Sequence, residues 1–311
     1  MKILLVNVDS IIPNLALQKI KIHHELLGDV VDQIKDEHPH TFPLLLQNYD
    51  KVYVSCVFDW NKHFCNKWEG IADIGGSGYS LKKELPPKIN DIKPKINFGF
   101  TTRGCIRNCY FCIVPQKEGK IIIVGDIYDV WDGKSDRIIL MDNNILAIPE
   151  HFSKICSQLR KEELIIDFNQ GLDCRLLTNK LCKDILSLKF VSSMGLRFAF
   201  DDIKYKKAVL RALKLLKGNG MPDWFTRWYI YIGEKDTVDT VMDRIKILKE
   251  NKQFVFVMRD RKVKNNPIYR EIYEWSCHPG LYKKTDYYIG VKRNAKAKHD
   301  DKVNSNKPKL I

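Results

Sequence analysis

Apolar residues gather into short runs that alternate with longer amphipathic stretches along most of the chain. Residues 3–8, ILLVNV, form the continuous apolar run that a buried strand needs. Residues 14–28 place Leu15, Leu17, Ile20, Ile22, Leu26 and Leu27 at intervals that predict a short helix ending at Gly28. Residues 51–58, KVYVSCVF, read as a second strand, and 71–79, IADIGGSGY, as a third that runs into a glycine-rich turn. Strand, helix, strand and strand-turn predict a small, shortened Rossmann-like α/β domain over residues 1–80. Pro86, Pro87 and Pro94 then mark 81–96 as a linker.

From residue 97 the pattern alternates regularly. Strands are predicted at 97–102, 137–142, 164–168, 196–200, 224–232 and 254–258. Helices are predicted at 150–160, 179–189 behind a Thr178 cap, 203–217 up to Gly218, 238–250, and 268–276 behind Pro267. The first connection, 116–136, is less regular, with GDIYDVWD as its one helical piece. Six βα units in a row predict a parallel sheet with right-handed crossovers, either a partial barrel or a doubly wound sheet. This domain spans 97–280, and 281–311 reads as a basic, disordered tail.

The 311 residues carry 52 Lys and Arg against 38 Asp and Glu, a formal charge of +14. Such an excess suits a polyanionic partner, nucleic acid first. Part of it is local: residues 283–311 hold nine Lys or Arg and three Asp. No apolar stretch approaches the ~20 residues that span a bilayer, and MKILLVNVDS reads as an opening strand, not a signal peptide. Nine cysteines without an export signal predict a reducing, cytoplasmic setting.

Three of those cysteines carry the chemistry. Cys105, Cys109 and Cys112 lie in GFTTRGCIRNCYFCIVP with the spacing C-x3-C-x2-C and Phe111 before the last. Thiolates so close converge on one object. A cubane iron–sulfur cluster normally takes four cysteines, and the next one downstream, Cys156, is on another element. One iron would be left open for a ligand. The bland alternative is a zinc knuckle, but structural zinc wants four Cys or His ligands, and His63 and His151 are far off in sequence.

The loop resembles the signature of the radical S-adenosylmethionine (SAM) enzymes, C-x3-C-x-aromatic-C, at every defined position. TTRGC and CIVP are most similar to the branch holding the tRNA methylthiotransferases and the cobalamin-type enzymes. The resemblance implies a [4Fe–4S] cluster on Cys105, Cys109 and Cys112, with SAM chelated by the open iron. It also implies a partial (β/α)6 TIM-like barrel and a reducing partner such as flavodoxin or ferredoxin. Residues 1–80 resemble the cobalamin-binding domain that precedes many such barrels. The base-off signature D-x-H-x-x-G is absent, however, so cobalamin is not expected.

In parallel barrels ligands bind where the βα loops meet the strand C-termini. The matching positions here are Asp142, Asn143 and Asn144 after the second strand, where the family binds the SAM amino group. Asn169 and Gln170 follow the third strand and Asp201 the fourth. Ile230, Ile232 and Gly233 match the element that packs on adenine, and Met258 closes the sixth strand. Each could equally be an ordinary turn or cap. Among the other cysteines, Cys156 and Cys182 read as packing residues, and Cys56 and Cys65 are too loosely spaced for a second cluster. Cys277 ends the last helix. Cys174, in the loop after the third strand, is the one candidate for a catalytic thiol.

The expected function is a radical SAM enzyme that forms a 5′-deoxyadenosyl radical to modify an unknown substrate, nucleic acid or a nucleotide among the options. The alternatives are a cobalamin-dependent radical SAM methyltransferase and a nucleic-acid-binding protein with a purely structural cluster.

Overall fold

A computed structural model describes residues 1–35, 48–191 and 195–287. The chain divides into two compact units, Met1–Ser135 and Asp136–Ile311.

The opening apolar run forms β1 (Lys2–Asn7) because both of its faces are covered. Ile3 and Leu5 pack on Leu17 and Ile20 of α1 (Leu15–Leu26). Leu4, Val6 and Val8 pack on the other side with Trp68 and Ile74. Covering on two sides is what turns an alternating pattern into a continuous one. Asn14 caps α1 by accepting from the Leu17 N–H at 3.2 Å, and Gly28 stops it at φ +78°. β1 is flanked in parallel by β2 (Val30–Lys35) and β3 (Lys51–Ser55), with β4 (Asp73–Gly75) beyond, giving the order β2-β1-β3-β4. A run of 3-10 turns, Asp59–Trp68, follows β3, and a helical turn, Pro87–Asn90, lies further on.

β2 has no counterpart among the expected elements. It is an edge strand with an exposed, mixed sequence, VVDQIK, and so lacks the apolar run that marks its neighbours. The strand expected at 97–102 is two pieces, β5 (Phe98–Gly99) and β6 (Thr102–Arg103). β6 pairs antiparallel with β7 (Ile122–Ile123), Thr102 opposite Ile123 and Arg103 opposite Ile122.

The second unit is a run of βα elements. β8 (Arg137–Leu140) and α2 (Pro149–Lys161) lead to β9 (Ile165–Phe168) and α3 (Asn179–Leu186). The short β10 (Lys189–Phe190) precedes β11 (Leu196–Ala199) and α4 (Lys206–Gly218). β12 (Thr226–Ile232), α5 (Val238–Glu250), β13 (Phe254–Arg259), α6 (Pro267–Ser276) and α7 (Pro279–Lys284) complete it. α7 takes up the start of the expected tail; residues 288–311 lie outside the described residues.

The chain is thus mixed α/β with parallel sheets. In the second unit neighbours in space follow chain order. β8 pairs with β9 and β11-β12-β13 pair in sequence. A parallel bridge from Leu172 to Phe198 joins the segment after β9 to β11. The two faces of these strands differ. Ile138, Leu140, Ile166, Phe168, Phe198, Trp228, Ile230, Ile232, Val255 and Val257 are buried, and Phe168 meets Phe152 of α2 at 5.8 Å between ring centroids. The alternate residues, Asp167, Arg197, Tyr229, Tyr231, Phe256 and Met258, are half-buried. One face therefore packs on helices while the other keeps polar groups and solvent access. Among the described residues no helix is long and apolar enough to cross a membrane.

Candidate functional residues: a thiol loop in the first unit, polar strand ends in the second

The β6–β7 pair clamps the base of the cysteine loop. Gly104 sits at φ +81°, and a Cβ there would lie 2.3 Å from the Lys120 carbonyl oxygen, so only glycine allows the two limbs to approach. The Gly104 N–H donates to Glu118 Oε2 at 2.8 Å, and Glu118 Oε1 pairs with Arg103 Nη2 at 2.7 Å. Cys105 N–H donates to the Gly119 carbonyl at 3.1 Å. Within the loop the Arg107 N–H donates to Cys105 Sγ at 3.3 Å, and the Cys112 N–H to the Cys109 carbonyl at 3.0 Å. Phe111 stands edge-on to Tyr110, with centroids 5.3 Å apart.

These thiols are more exposed than most others in the chain, Cys277 alone sharing their partial exposure among the described residues. Cys105, Cys109 and Cys112 are partly exposed, whereas Cys56, Cys65, Cys156, Cys174 and Cys182 are buried. Burial pushes the thiols of Cys56, Cys156, Cys182 and Cys277 up, and that of Cys174 up to about 12. Desolvation favours the neutral thiol, so Cys174, whose Sγ faces the Ala199 carbonyl at 3.7 Å, is held protonated. Three partly exposed sulfurs on one clamped loop, one already receiving a backbone N–H, have the donor chemistry of an iron–sulfur cluster, although they are not drawn together around a metal position. Among the described residues no group of three His, Cys, Asp or Glu is arranged to hold a metal ion.

In the second unit the strand ends join into a polar row. After β8, Asp142 and Asn144 are buried and Asn143 is half-buried. Asn144 Nδ2 reaches Asp173 Oδ2 at 3.4 Å in the loop after β9. Asp173 holds Arg175 by two bonds, Nε–Oδ1 at 2.6 Å and Nη2–Oδ2 at 2.9 Å. The Arg175 guanidinium lies 4.3 Å over the Tyr205 ring, after β11. Asp201 accepts from the Tyr231 N–H at 2.9 Å, and the Tyr231 hydroxyl donates to Asp260 Oδ2 at 2.5 Å. Asn169 offers its carbonyl to the Tyr229 hydroxyl at 2.8 Å, and Gln170 beside it is exposed. Gly233 donates its N–H to Asp236 Oδ2 at 2.9 Å. Ile230 and Ile232 are fully buried on the same side of β12 as Trp228, and Met258 is half-buried on the opposite side of β13.

The first unit treats its strand ends differently. Its order makes β1 and β3 the point where the chain reverses direction across the sheet, the usual ligand crevice of open parallel sheets. Here Asp9 fills that place, accepting from the N–H groups of Val57 at 2.8 Å and Phe58 at 2.9 Å and from Asn61 Nδ2 at 3.1 Å. The glycine-rich turn closes over the same residues: Gly76, at φ +96°, has no room for a Cβ, which would lie 2.2 Å from the Cys56 carbonyl oxygen.

No family model matches this chain, and no curated protein matches it.

One member of the row is not among the sequence candidates. Arg244 is fully buried and donates to the carbonyls of Tyr231 at 3.0 Å, Thr240 at 3.1 Å and Phe200 at 3.4 Å, with an ion pair to Asp236. Its signal was available: Arg244 interrupts the apolar stripe Val241, Ile245, Leu248 of α5, and a cation on a buried stripe needs a specific partner.

Proposed function

We propose that this chain is a radical SAM enzyme whose [4Fe–4S] cluster is held by Cys105, Cys109 and Cys112, and whose second unit is the wall of a partial (β/α)6 barrel. The observation that carries the proposal is the clamped loop. It offers three partly exposed thiols, with an aromatic before the last, on a loop whose base is held by the β6–β7 pair and by Glu118. When bound, such a cluster supplies the electron that cleaves the SAM sulfonium and leaves a 5′-deoxyadenosyl radical.

The chain's own residues have separate tasks in this reading. The Arg107 N–H bond to Cys105 Sγ offsets thiolate charge. Asp142, Asn143 and Asn144 offer acceptors for an ammonium group, and Asp201 for ribose hydroxyls. The Asp173–Arg175–Tyr205 stack presents a guanidinium plane with its orientation fixed. The sequential strand order with helices on the buried face supports a barrel wall over a doubly wound sheet, since the latter reverses its order and covers both faces. A reducing partner such as flavodoxin or ferredoxin, and a substrate of nucleic-acid or nucleotide class, complete the reading.

The test is anaerobic reconstitution with iron and sulfide, followed by SAM and dithionite. The expected result is a brown protein that releases 5′-deoxyadenosine, with Cys109→Ala folded, colourless and inert. A wild-type protein that takes up cluster and leaves SAM intact contradicts the enzyme reading and leaves a structural cluster.

A further inference from the structure

The positive charge of this chain is not evenly spread over its helices. α4 carries Lys206, Lys207, Arg211, Lys214 and Lys217 and not one acidic residue. All five are exposed. Lys207, Arg211 and Lys214 stand at i, i+4 and i+7, so they share one face of the helix. The neighbouring α3 adds Lys180 and Lys183, also exposed and three residues apart, while its one acidic residue, Asp184, is turned to Arg160 and Ser153 of α2. Other helices of this unit mix their charges: α5 sets Asp239, Asp243 and Glu250 against Arg244, Lys246 and Lys249, and α6 sets Glu271 and Glu274 against Arg270.

Between α3 and α4 lies a cleft of about 430 Å³ lined by Asn179, Lys183, Arg211, Lys214, Leu215, Gly218 and Asn219. Its lining holds three cations, two amides and no carboxylate. Among the described residues Lys180, Lys183, Lys206, Lys207, Arg211 and Lys214 form no ion pair, while Lys217 is 3.8 Å from Asp223. Arg211 is fixed by donating to the carbonyls of Leu177 at 3.2 Å and Arg175 at 2.8 Å, which leaves its charge uncompensated. The Asn219 amide bridges to Asn179 at 3.2 Å across the mouth of the cleft.

We infer that the α3–α4 face is a docking surface for the phosphate backbone of a nucleic acid. Several like charges held within a few helical turns repel one another, and a protein leaves them uncompensated at some cost in stability. A spaced row of phosphates relieves that repulsion and releases its own counterions. Lysines on exposed helix faces act as point charges that fix the position of a backbone without reading bases, so the surface binds strands of many sequences. The inference is independent of SAM chemistry, because it rests on α3 and α4 alone. Combined with the proposed activity, it gives the substrate class as a nucleic acid held by its backbone.

The experiment uses the full chain and a fluorescently labelled single-stranded RNA, with binding followed by anisotropy over a salt series. The variant Lys183→Gln, Lys207→Gln, Lys214→Gln changes only exposed side chains, and its folding is checked by circular dichroism. A control of equal charge, Lys82→Gln, Lys88→Gln, Lys95→Gln, alters exposed lysines of the first unit. The α3–α4 variant is expected to lose about 2 units of the log–log salt slope, at ~0.7 for each released single-strand counterion, and roughly tenfold or more in affinity. The control is expected to retain the wild-type slope. Equal losses in the two variants, or no loss in the first, overturn the inference. So does binding of polyglutamate or phosphatidylglycerol vesicles as tight as that of RNA, which would make the face a general polyanion surface.

Discussion

The strand ends of the first unit are filled by the chain itself, and those of the second are joined into a polar row beside a half-exposed sheet face. In the first unit Asp9 takes up the N–H groups of Val57 and Phe58, and the backbone at Gly76 rests directly on Cys56. In the second, Asn144, Asp173 and Arg175 form one connected set, and Asp201, Tyr231 and Asp260 another, with a half-buried face of alternating polar and aromatic residues. The same parallel architecture therefore supports a closed end and a chemically equipped one. The difference lies in which loop residues satisfy the backbone. In the first unit Asp9 closes the crevice by taking two main-chain donors, whereas in the second Asp173 and Asp260 each hold another side chain, Arg175 and the Tyr231 hydroxyl.

The largest effect that would break this comparison is expected at Arg244. Arg244→Ala strips Asp236 of its cation and removes the guanidinium donor from the carbonyls of Phe200 and Tyr231. Removing one partner of a buried pair costs about 3–5 kcal/mol, read as a lowered urea midpoint. A loss below 1 kcal/mol would show that the row is not braced by this residue. Gly76→Ala comes next. It forces a Cβ against the Cys56 carbonyl in a left-handed conformation, and overpacking costs about 1–3 kcal/mol before the backbone strain is added. Unchanged thermal stability would mean that the first unit's crevice is not closed by contact.

A smaller effect sharpens the contrast by pH. Burial raises the Asp201 carboxyl to about 6, against the pull of the Tyr231 N–H and of Arg244 and Arg175, with Asp236 adding to the rise. The folded protein thus keeps a proton that the unfolded chain, with its value near 3.8, gives up. This group favours the folded state most below pH 4, and its contribution falls as pH rises to 6. Asp201→Asn removes that fall, so the variant gains on the order of 3 kcal/mol on wild type between pH 4 and 7. A constant difference across that range would place Asp201 in water.

Much of this was readable along the chain, and the exceptions have physical causes. Val238–Glu250 has both limits as expected, because Thr237 caps it and its apolar stripe is regular. β1 announced itself since it is covered on both faces, whereas the exposed edge strand β2 offered no apolar signal. The spacing C-x3-C-x2-C singles out the three loop cysteines as a candidate set. Their clamp was not legible, because β6 and β7 are two residues each, too short for any period to register. The burial of Ile230 and Ile232 depends on which face the helices cover, and alternation gives the two faces without saying which is inward. Arg175 and Tyr205 are separated by 30 positions in sequence and meet only through the fold.

The measurement that bears most directly on the central claim is Mössbauer spectroscopy of the anaerobically reconstituted, iron-57-labelled protein before and after addition of SAM. Four irons per chain are expected, one of them shifting its signal when SAM is added, with all four lost on changing Cys105, Cys109 or Cys112 to Ala. A single zinc in place of iron, or a cluster whose irons all stay unmoved by SAM, would contradict the account.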